Sequence, residues 1–533
     1  MKTTYLFVGI FLLFFINKAT AQDWLWAKQA GGSDFDWTDQ KMLCKDIDGN
    51  VYFSGTFYSN PCYFETDSLV PNGIFDFYIA KYNSNGDKMW VMGIHSMNSC
   101  LIVNSIFISG YFYGAAIFGN DTLVGSPDAN FYGSLDTSGT FNWVKKSNNF
   151  TRAFASDDGY IYAEYSFPTA GMIDTLLVNP GIWLAKLDQN GDLLWAQKKF
   201  NANMSIQNYD VLFTKIIGKK DNIYAIGTCS VDSFTVDNIT VFPNFSSGQY
   251  IIACFDSSGL TRWVKPTSGS SGYSSYADIV VDTSGGIYVS GPFEDIAIFN
   301  QDTLQSDATT ADFFIARYDS SGNNLWAVRG YASNYSVSYS LSLDIENGIY
   351  AVGSITDSAI LCNDTIIATA GNYEGFIERY NSEGNCIAVR HMTNALGGAI
   401  LCNDDGSIYI TGNIRGSVNF SGVQLNSMGN SDIFIAKSNA ITGQNEERKS
   451  SNELVIYANP SQGTCNVTIP EDFKHEKNLI LSVYDNKGNL IQQGKVQMNG
   501  EKVHVNLEAE AKGIYNVTLS NGKKSYGGKI VFE

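Results

Sequence analysis

One short sequence pattern recurs seven times along this chain of 533 residues. The typical copy has an Asp/Asn–x–x–Gly turn before an Ile-Tyr-x-x-Gly strand, and later a Phe-Ile-Ala-Lys-Tyr-Asp-like strand followed by a second Gly turn. The aromatic residue after the first turn falls at Tyr52, Phe107, Tyr162, Tyr224, Tyr288, Tyr350 and Tyr409, with spacings of 55, 55, 62, 64, 62 and 59 residues. A nearly fixed period of this size indicates a repeat architecture built from small sheets.

The fifth unit illustrates how one copy divides into four strands. Its apolar residues alternate with period two and Gly turns separate the runs, as half-buried strands require. The predicted strands are 275–282, 286–291, 312–319 and 324–328. Most units insert an extra hairpin between the second and third strand, such as 297–304. Repeated four-stranded units of this kind predict a β-propeller with one blade per unit.

The seventh unit ends after its third strand, at 434–437. A strand of the missing kind lies near the other end of the chain, at 23–28, where it contains two Trp residues. We therefore predict that this N-terminal strand completes blade seven and closes the ring, which removes the exposed edges of an open array. The predicted domain is an all-β, seven-bladed propeller over residues 22–440.

A Trp recurs in the last strand of most units. These residues are Trp90, Trp143, Trp195, Trp263 and Trp326, with Ile387 taken as the counterpart in unit six. The Gly-to-Trp spacing of four residues resembles that of quinoprotein dehydrogenase repeats, in which Trp docks neighbouring blades. The resemblance implies a structural role for Trp in this chain, where a large buried aromatic ring is suited to packing.

The repeated sequence also resembles the bacterial SBBP β-propeller repeat family. Residues 46–55, Asp-Ile-Asp-Gly-Asn-Val-Tyr-Phe-Ser-Gly, and their counterparts carry the resemblance, which covers roughly 22–440. Unit two departs from the pattern, because 103–107 lacks the Gly turn. The family implies a propeller and no particular chemistry, since propellers carry catalysis, binding and scaffolding alike.

Residues 1–21 are interpreted as a secretory signal peptide. Lys2 precedes an apolar run, Ala19 and Ala21 form a small-x-small site, and cleavage is expected before Gln22. No later stretch is apolar for long enough to cross a bilayer, so no transmembrane segment is expected in the mature chain. The formal net charge of -18 argues against nucleic acid as a partner.

After residue 440 the composition changes. Residues 441–452 are polar and charged and are predicted to be a linker. Residues 453–533 contain short alternating strands without the longer period, which predicts a small Ig-like β-sandwich. The predicted strands are 454–457, 465–469, 479–485, 513–519 and 529–533.

Motifs in this second domain resemble the C-terminal sorting domain of the type IX secretion system. Ile456–Gly463 is similar to its Tyr-Pro-Asn-Pro-x-x-Gly opening, with Ala458 where the family usually has Pro. The residues that carry the resemblance are Tyr457, Asn459, Pro460, Gly463, Gly488, Gly513 and Tyr515. It implies a Bacteroidota cell, interaction with the type IX machinery, and delivery to the outer-membrane surface or the extracellular space, with the domain commonly removed.

The loops that precede the first strands of the blades are expected to cluster on one face, around the central channel. Two of these loops are rich in Tyr, Ser, Gly and Asn, a composition that suits contact surfaces. The candidate ligand-binding residues are Tyr273, Tyr276, Tyr331, Tyr335 and Tyr339. A glycan or a surface protein would fit such a surface, and flexible solvated loops are the alternative.

Four acidic residues fall at similar loop positions, namely Asp34, Asp36, Asp39 and Asp278. They could form an acidic funnel or cap strand ends. No nucleophile–base or acid–base pair can be assembled from the sequence, so no catalytic residue is assigned. The sequence therefore favours a non-catalytic binding module, and the alternative is a glycan-cleaving hydrolase or lyase with its site in the funnel.

No cofactor is predicted, and no metal site, because the nine Cys lack a metal-binding spacing and the four His are scattered. Cys229, Cys254, Cys386 and Cys402 lie in strand-like segments, where Cys is expected as a small buried apolar residue.

Five Asp-Ser/Thr-aliphatic triplets resemble O-glycosylation acceptors of Bacteroidota and are equally ordinary hairpin sequence. They begin at Asp67, Asp121, Asp174, Asp302 and Asp364. The intact mass of the mature protein would separate the two interpretations.

Overall fold

The computed structural model describes, in the repeat region, residues 24–94, 107–147, 150–155, 159–201, 211–243, 249–270, 276–299, 302–306, 311–362, 364–368 and 373–441. In the C-terminal region it describes 454, 456–457, 461–470, 473–474, 476, 478–485, 489–496, 502–521 and 525–532. Over these residues all the regular elements are β-strands, so the all-β prediction is confirmed there. The same residues contain no helix that is long and apolar enough to cross a membrane.

The repeat region consists of short antiparallel strands. In chain order they are β1 (Trp24–Gly31), β2 (Asp36–Lys45), β3 (Val51–Phe57), β4 (Cys62–Phe64), β5 (Asp67–Leu69), β6 (Asp76–Tyr82), β7 (Lys88–Ile94), β8 (Phe107–Phe118), β9 (Asp121–Leu135), β10 (Phe141–Ser147), β11 (Phe150–Ala155), β12 (Ile161–Phe167), β13 (Gly171–Ile173), β14 (Leu176–Val178), β15 (Gly181–Leu187), β16 (Leu193–Phe200), β17 (Val211–Lys219), β18 (Asn222–Cys229), β19 (Phe234–Val236) and β20 (Ile239–Val241). They continue as β21 (Gln249–Asp256), β22 (Thr261–Ser270), β23 (Asp278–Val281), β24 (Ile287–Glu294), β25 (Ile296–Phe299), β26 (Asp302–Gln305), β27 (Ala311–Tyr318), β28 (Asn324–Ala332), β29 (Tyr335–Leu343), β30 (Ile349–Thr356), β31 (Ser358–Leu361), β32 (Asp364–Ile367), β33 (Tyr373–Tyr380), β34 (Cys386–Met392), β35 (Ala395–Cys402), β36 (Ile408–Ile414), β37 (Ser417–Phe420), β38 (Val423–Asn426) and β39 (Asp432–Ser438).

These strands form serial sheets, which we number in chain order from sheet 1 to sheet 7. Their strand orders are β2-β3-β6-β7, β8-β9-β10, β11-β12-β15-β16, β17-β18-β21-β22, β23-β24-β27-β28, β29-β30-β33-β34 and β35-β36-β39-β1. A pairing of Ser270 with Glu294 joins β22 of sheet 4 to β24 of sheet 5. The extra hairpins predicted between second and third strands are confirmed; four are separate two-stranded pairs, whereas β4–β5 also pairs with β1 and β31–β32 with β28. The hairpins are β4–β5, β13–β14, β19–β20, β25–β26, β31–β32 and β37–β38.

The fourth strand of sheet 7 comes from the N-terminal part of the chain. β1 pairs antiparallel with β39, and the register sets Ala27 opposite Ala436 and Ala30 opposite Ile433. The end of β1 also pairs with β4, so this strand joins sheet 7 to the hairpin of sheet 1.

Neighbouring sheets share apolar cores. Contacts between first strands link β11 to β17, β17 to β23, β23 to β29, β29 to β35, and β35 back to β2. In the described part of the chain, one buried cluster joins each successive pair of sheets, including sheet 7 with sheet 1. Every residue of β3 and β6 is buried, because these strands are covered on both faces. The arrangement is propeller-like.

The recurring Trp connects six of the seven sheets to a turn of the next one. Its indole Nε1 donates to a backbone carbonyl in the turn before the last strand of that sheet, at 3.0 to 3.2 Å. The pairs are Trp26–Ser84, Trp90–Thr137, Trp143–Gln189, Trp195–Ser257, Trp263–Ser320 and Trp326–Ser382. The ring also covers the turn Gly, since a Cβ on Gly259 would lie 2.7 Å from Trp195. The structural role expected of Trp is confirmed.

In sheet 6 the residue at the Trp position is Ala388, so the assignment of Ile387 is wrong by one residue. Ala388 lies opposite Arg379, in the register that Trp326 has in sheet 5. Sheet 7 is built from two distant stretches of chain and has no turn between its third and fourth strands. A Trp in sheet 6 would therefore have no turn to cover, and Trp24 of β1 packs in the cluster of Ala388 instead.

The Gly of the repeated Ile-Tyr-x-x-Gly pattern allows a bulged first strand to approach the second strand closely. A Cβ on Gly353 would lie 1.9 Å from the carbonyl oxygen of Val337, and one on Gly55 would lie 2.0 Å from that of Trp37. The pairing register of β29 with β30 shifts between Ser338 and Ser340, which flank Tyr339. Such bulges re-aim side chains and are common beside functional sites.

The C-terminal region forms two further sheets. Its strands are β40 (Ile456–Tyr457), β41 (Thr464–Thr468), β42 (Ile480–Tyr484), β43 (Leu490–Lys495), β44 (Lys502–Asn506), β45 (Gly513–Ser520) and β46 (Ser525–Phe532). The sheets β40-β41-β44 and β43-β42-β45-β46 share one buried core. The sequence did not predict β43 and β44, because β43 is largely exposed and lacks a buried apolar face.

Candidate functional site

The charged residues of the repeated motif belong to the architecture. In sheet 1, Lys81 Nζ lies 3.3 Å from a carboxylate oxygen of Asp46 and 4.9 Å from the centre of the Tyr52 ring. In sheet 6, Arg379 pairs in the same way with Asp344, at 2.7 Å. Because the arrangement recurs between sheets, we look for function where the sheets differ.

One carboxylate–imidazole contact is also architectural. His391 Nε2 lies 2.6 Å from Oε2 of Glu374, near the start of β33. The corresponding places in sheet 5 hold Asp312 and Arg329, whose Oδ2 and Nε are 2.8 Å apart. The pair therefore repeats a link between the third and fourth strands, and we assign it no catalytic role.

Two of the acidic loop residues cap backbone groups. Asp36 accepts two backbone NH groups, each at 3.0 Å, and the Ser59 hydroxyl at 2.6 Å. Asp278 accepts the backbone NH of Leu341 in the next sheet at 2.7 Å and pairs with Lys215 of the preceding sheet at 2.5 Å. These contacts favour the strand-capping interpretation over an open acidic funnel.

Four tyrosines meet at the start of β29. The rings of Tyr276 and Tyr339 are 5.2 Å apart and nearly perpendicular, and the rings of Tyr335 and Tyr373 are 6.1 Å apart. The Tyr339 hydroxyl lies 2.8 Å from Oγ of Ser354. Burial raises the pKa of Tyr339, and the nearby Tyr276 and Tyr373 hydroxyls add to the increase. We call these four residues the tyrosine cluster.

Three of the five predicted tyrosines, Tyr276, Tyr335 and Tyr339, therefore lie in the cluster. The fourth, Tyr331, packs elsewhere. Tyr331 lies against the guanidinium of Arg329, 4.5 Å from it, and Tyr273 is outside the described residues. Tyr373, which is 45% exposed, was not predicted because it begins a third strand and does not lie in a loop before a first strand. The pairing of β29 and β33 with β30 is what brings Tyr335 and Tyr373 together, since both lie opposite Thr356.

Lys41 extends from sheet 1 to sheet 5. The register of β2 shifts between Thr38 and Leu43, and Lys41 within this bulge has a φ of 66°. Its Nζ donates to the backbone carbonyl of Ala277 at 2.5 Å. Ala277 follows Tyr276 in the chain, so a cation lies beside the tyrosine cluster.

Asp39, in the same bulge, differs from the other acidic loop residues. Its Oδ2 atom is buried and has no hydrogen-bond partner, whereas Asp34 accepts the NH of the following residue at 2.9 Å. Burial raises the pKa of Asp39 to about 7. The Tyr78 hydroxyl is also buried without a partner, and its pKa is raised by burial and then by the charge of Asp39.

We expect Asp39→Asn to stabilise the protein at pH 8 and to change its stability little at pH 4. The pKa of about 7 in the folded state exceeds the value of 3.8 in an unfolded chain. Stability is therefore lost as the pH rises from about 4 to about 7, by at most about 4 kcal/mol. Thermal unfolding of both proteins at the two pH values measures the difference.

Asp36→Asn is the matched control for this prediction. It should lower stability at pH 8, because it weakens an acceptor of two backbone NH groups. An Asp39→Asn protein that gains nothing at pH 8 would contradict the raised pKa.

The structure contains one disulfide among the described residues, between Cys362 in the turn of hairpin β31–β32 and Cys386 at the start of β34. The expectation that Cys386 is a buried apolar residue is wrong, because it is half-buried and bonded to the hairpin. Cys229, Cys254 and Cys402 are free and buried, as expected.

The predicted processing and sorting residues are only partly within the described chain. Tyr457 is exposed on β40, Gly463 has a φ of 107°, and Gly513 begins β45, where the Tyr515 hydroxyl donates to the carbonyl of Ala511 at 2.5 Å. Outside the described residues lie Ala19, Ala21, Gln22, Asn459, Pro460 and Gly488.

The described residues thus define an all-β protein with a propeller-like repeat region and a C-terminal two-sheet unit. Residues 455–533 match the family described as the Secretion system C-terminal sorting domain. The resemblance of this region to a sorting domain is confirmed, and it indicates export to the cell surface or the extracellular space.

The repeat region has more distant similarities. An uncharacterized WD repeat-containing protein of Acanthamoeba polyphaga mimivirus is 24% identical in an alignment of 391 residues that covers 64% of this chain, and the chain spans 26% of that protein's length. The Dos1 propeller aligns with a TM-score of 0.35 and 9% identity, over 78% of this chain and 93% of that one. A protein of unknown function from Dyadobacter fermentans has a TM-score of 0.33 and 9% identity, over 78% and 98%. At these scores the likenesses carry no argument about function.

Proposed function

We propose that this protein is an exported, non-catalytic binding module built on a closed seven-bladed propeller over residues 22–440. The shared cores between all neighbouring sheets, and the pairing of β1 with β39, support closure. In this proposal residues 1–21 are a signal peptide, 441–452 a linker and 453–533 an Ig-like sorting domain that engages the type IX machinery. The source would be a Bacteroidota cell and the propeller of SBBP type.

The tyrosine cluster with Lys41 is the observation that carries the binding proposal. Tyr276 and Tyr373 combine flat apolar faces with hydroxyl groups, and the ammonium of Lys41 lies against Ala277, the neighbour of Tyr276. Rigid aromatic side chains with polar tips suit ligands that present an apolar face and a hydroxylated edge. A glycan fits that description, and a polar loop of a surface protein is the other ligand class.

A glycan-cleaving hydrolase or lyase is the second candidate, because Asp39 lies near the Tyr78 hydroxyl. A carboxyl group with a pKa of about 7 is suited to proton transfer at neutral pH. However, Asp39 Oδ2 is closed off from solvent, and a general acid or base must come within hydrogen-bonding distance of its substrate. The binding module is therefore favoured.

We expect Tyr276→Ala and Tyr373→Ala each to weaken binding of a glycan or protein ligand by at least about tenfold, because truncating a central Tyr removes stacking area and a hydroxyl. The ligand is first identified by screening the mature protein against glycan and surface-protein arrays. Affinities are then measured by calorimetry.

Tyr63→Ala is the matched control, since Tyr63 is 46% exposed, close to the 45% of Tyr373, and lies on hairpin β4–β5. It should leave the affinity unchanged. Failure to bind any member of the arrays, together with polysaccharide turnover that Asp39→Asn abolishes, would favour the enzyme instead.

A further inference from the structure

Sheet 6 departs from the repeat at three positions that meet in space. Glu378 lies at a position of β33 where five other sheets carry a fully buried Ala. These are Ala80, Ala185, Ala253, Ala316 and Ala436. The disulfide of Cys362 and Cys386 lies beside it, and the two sulfurs and a carboxylate oxygen of Glu378 are all within 4.8 Å of one another.

The disulfide joins two places that other sheets join without a covalent bond. In sheet 4, the carboxylate of Asp237 in the hairpin turn accepts the backbone NH of Thr261, the first residue of the last strand, at 2.9 Å. In sheet 7, the hydroxyl of Ser421 in the hairpin turn accepts the NH of Trp24 at 3.3 Å. In those sheets a hydrogen bond holds the hairpin against the last strand. The need to hold the hairpin therefore does not by itself explain why sheet 6 has a Cys pair at this place.

Glu378 is a costly residue at this position. The side chain is fully buried, its Oε2 accepts a hydrogen bond from the Tyr380 hydroxyl at 2.9 Å, and the backbone NH of Cys362 also donates to the carboxyl group. Burial raises the pKa of Glu378 to about 8, so the group is largely protonated at neutral pH. A carboxyl group without a cationic partner loses hydration on folding, whereas Ala loses none.

The charged and titratable neighbours of Glu378 are few in the described part of the chain. Tyr380 lies on its own strand, Cys362 on the hairpin and Cys386 on β34. Arg379, the next residue in sequence, contacts Asp344 at 2.7 Å. The proton of Glu378 is therefore adjacent to the two sulfurs, which are half-buried and within reach of a small thiol.

We propose that the Cys362–Cys386 disulfide is a thiol–disulfide exchange site. In this proposal the Glu378 carboxyl group donates a proton to a sulfur atom of the pair when the disulfide is reduced and accepts it back when the disulfide forms. A thiolate of an external dithiol attacks one sulfur, the S–S bond breaks, and its electron pair passes to the other sulfur. That sulfur takes the carboxyl proton of Glu378, and the resulting carboxylate keeps the hydrogen bond from Tyr380. The second thiolate of the dithiol then attacks the mixed disulfide, and the released sulfur takes a proton from water.

The net reaction oxidises the dithiol to a disulfide and reduces the Cys pair to two thiols. In the reverse direction the Glu378 carboxylate removes a proton from one thiol, and the thiolate attacks the disulfide of the partner molecule. A proton-transfer group of this kind works best when its pKa lies near the ambient pH.

The test compares the mature wild-type protein with Glu378→Gln and Glu378→Ala. Each protein is reduced with dithiothreitol between pH 6 and pH 9, quenched with iodoacetamide, and the peptides of Cys362 and Cys386 are quantified by mass spectrometry. At pH 7 and equal thiolate concentration, both variants should be reduced at least about tenfold more slowly than the wild type. The wild-type rate per thiolate should fall as the pH rises through about 8, and the rates of the variants should not.

Two controls keep a structural role apart from proton transfer. Glu378→Ala installs the residue that five other sheets carry, so its oxidised form should unfold at no lower temperature than the wild type. Equal reduction rates for all three proteins across the pH range would overturn the proposal. Stoichiometric Zn²⁺ binding to the reduced wild type that is lost in Glu378→Ala would also overturn it, because the cluster would then be a metal site.

Discussion

Deletion of residues 453–533 should leave the protein in the periplasm while its propeller remains folded. The sorting-domain match covers 455–533, and this region has its own core, so its removal takes no residue from the clusters shared by the seven sheets. Export across the inner membrane is assigned to the proposed signal peptide, residues 1–21, which the deletion retains. Cell fractionation, together with protease treatment of intact cells, measures the surface-exposed fraction, and we expect a nearly complete loss.

The reciprocal fusion provides the control. Attachment of residues 441–533 to an unrelated periplasmic reporter should carry the reporter to the cell surface or the medium, because a sorting signal acts independently of the domain it follows. Unchanged surface delivery of the truncated protein would refute the sorting assignment for this chain.

The second large effect is expected from Trp24→Ala, which removes an aromatic contact at the place where β1 closes the ring of sheets in our proposal. The Trp24 ring lies 4.7 Å from that of Phe420 and 4.9 Å from the guanidinium of Arg390, both far away in sequence. We expect a loss of about 3 kcal/mol, at the lower end of the range for a Trp truncated to Ala, because the ring is only partly buried. Urea unfolding measures the change.

Two controls locate the effect at the closure. Leu25→Ala, on the same strand and 49% exposed, should change stability by less than about 0.5 kcal/mol. Trp326→Ala should destabilise sheets 5 and 6, but only Trp24→Ala should speed hydrogen exchange of the β39 amides, which β1 protects. If Trp24→Ala behaved like Leu25→Ala, the strand would not hold the ring closed.

The repeated features of this fold could be predicted from the sequence because they depend on neighbouring residues. Alternating apolar residues and Gly turns specify the strands. The Trp is recognised by its spacing of four residues from a Gly, although its ring packs on a turn of the next sheet, 46 to 62 residues further along the chain. The assignment of Ile387 is wrong in the unit that lacks the Trp, where the spacing of four residues after Gly384 falls on Ala388. Register with Arg379 sets Ala388 there instead.

The candidate site could be predicted only in part, because its residues come from sheets that are distant in sequence. The loop composition indicated Tyr276, Tyr335 and Tyr339, but the addition of Tyr373 depends on the register of β33. The contact of Lys41 with Ala277 depends on a bulge and on two sheets facing each other. Neither condition leaves a local signature in the sequence.

The pairing of β1 with β39 also determines when the protein can be complete during export. In the export route that we propose, β1 leaves the inner membrane before β39, its main partner at the end of the repeat region, since Trp24 lies opposite Ser438. Until that partner arrives, β1 carries an unpaired edge, which in a partly exported chain is a site for chaperones, proteases or aggregation. A chain that stops before β39 cannot cover this edge, so the fold itself distinguishes complete molecules from truncated ones.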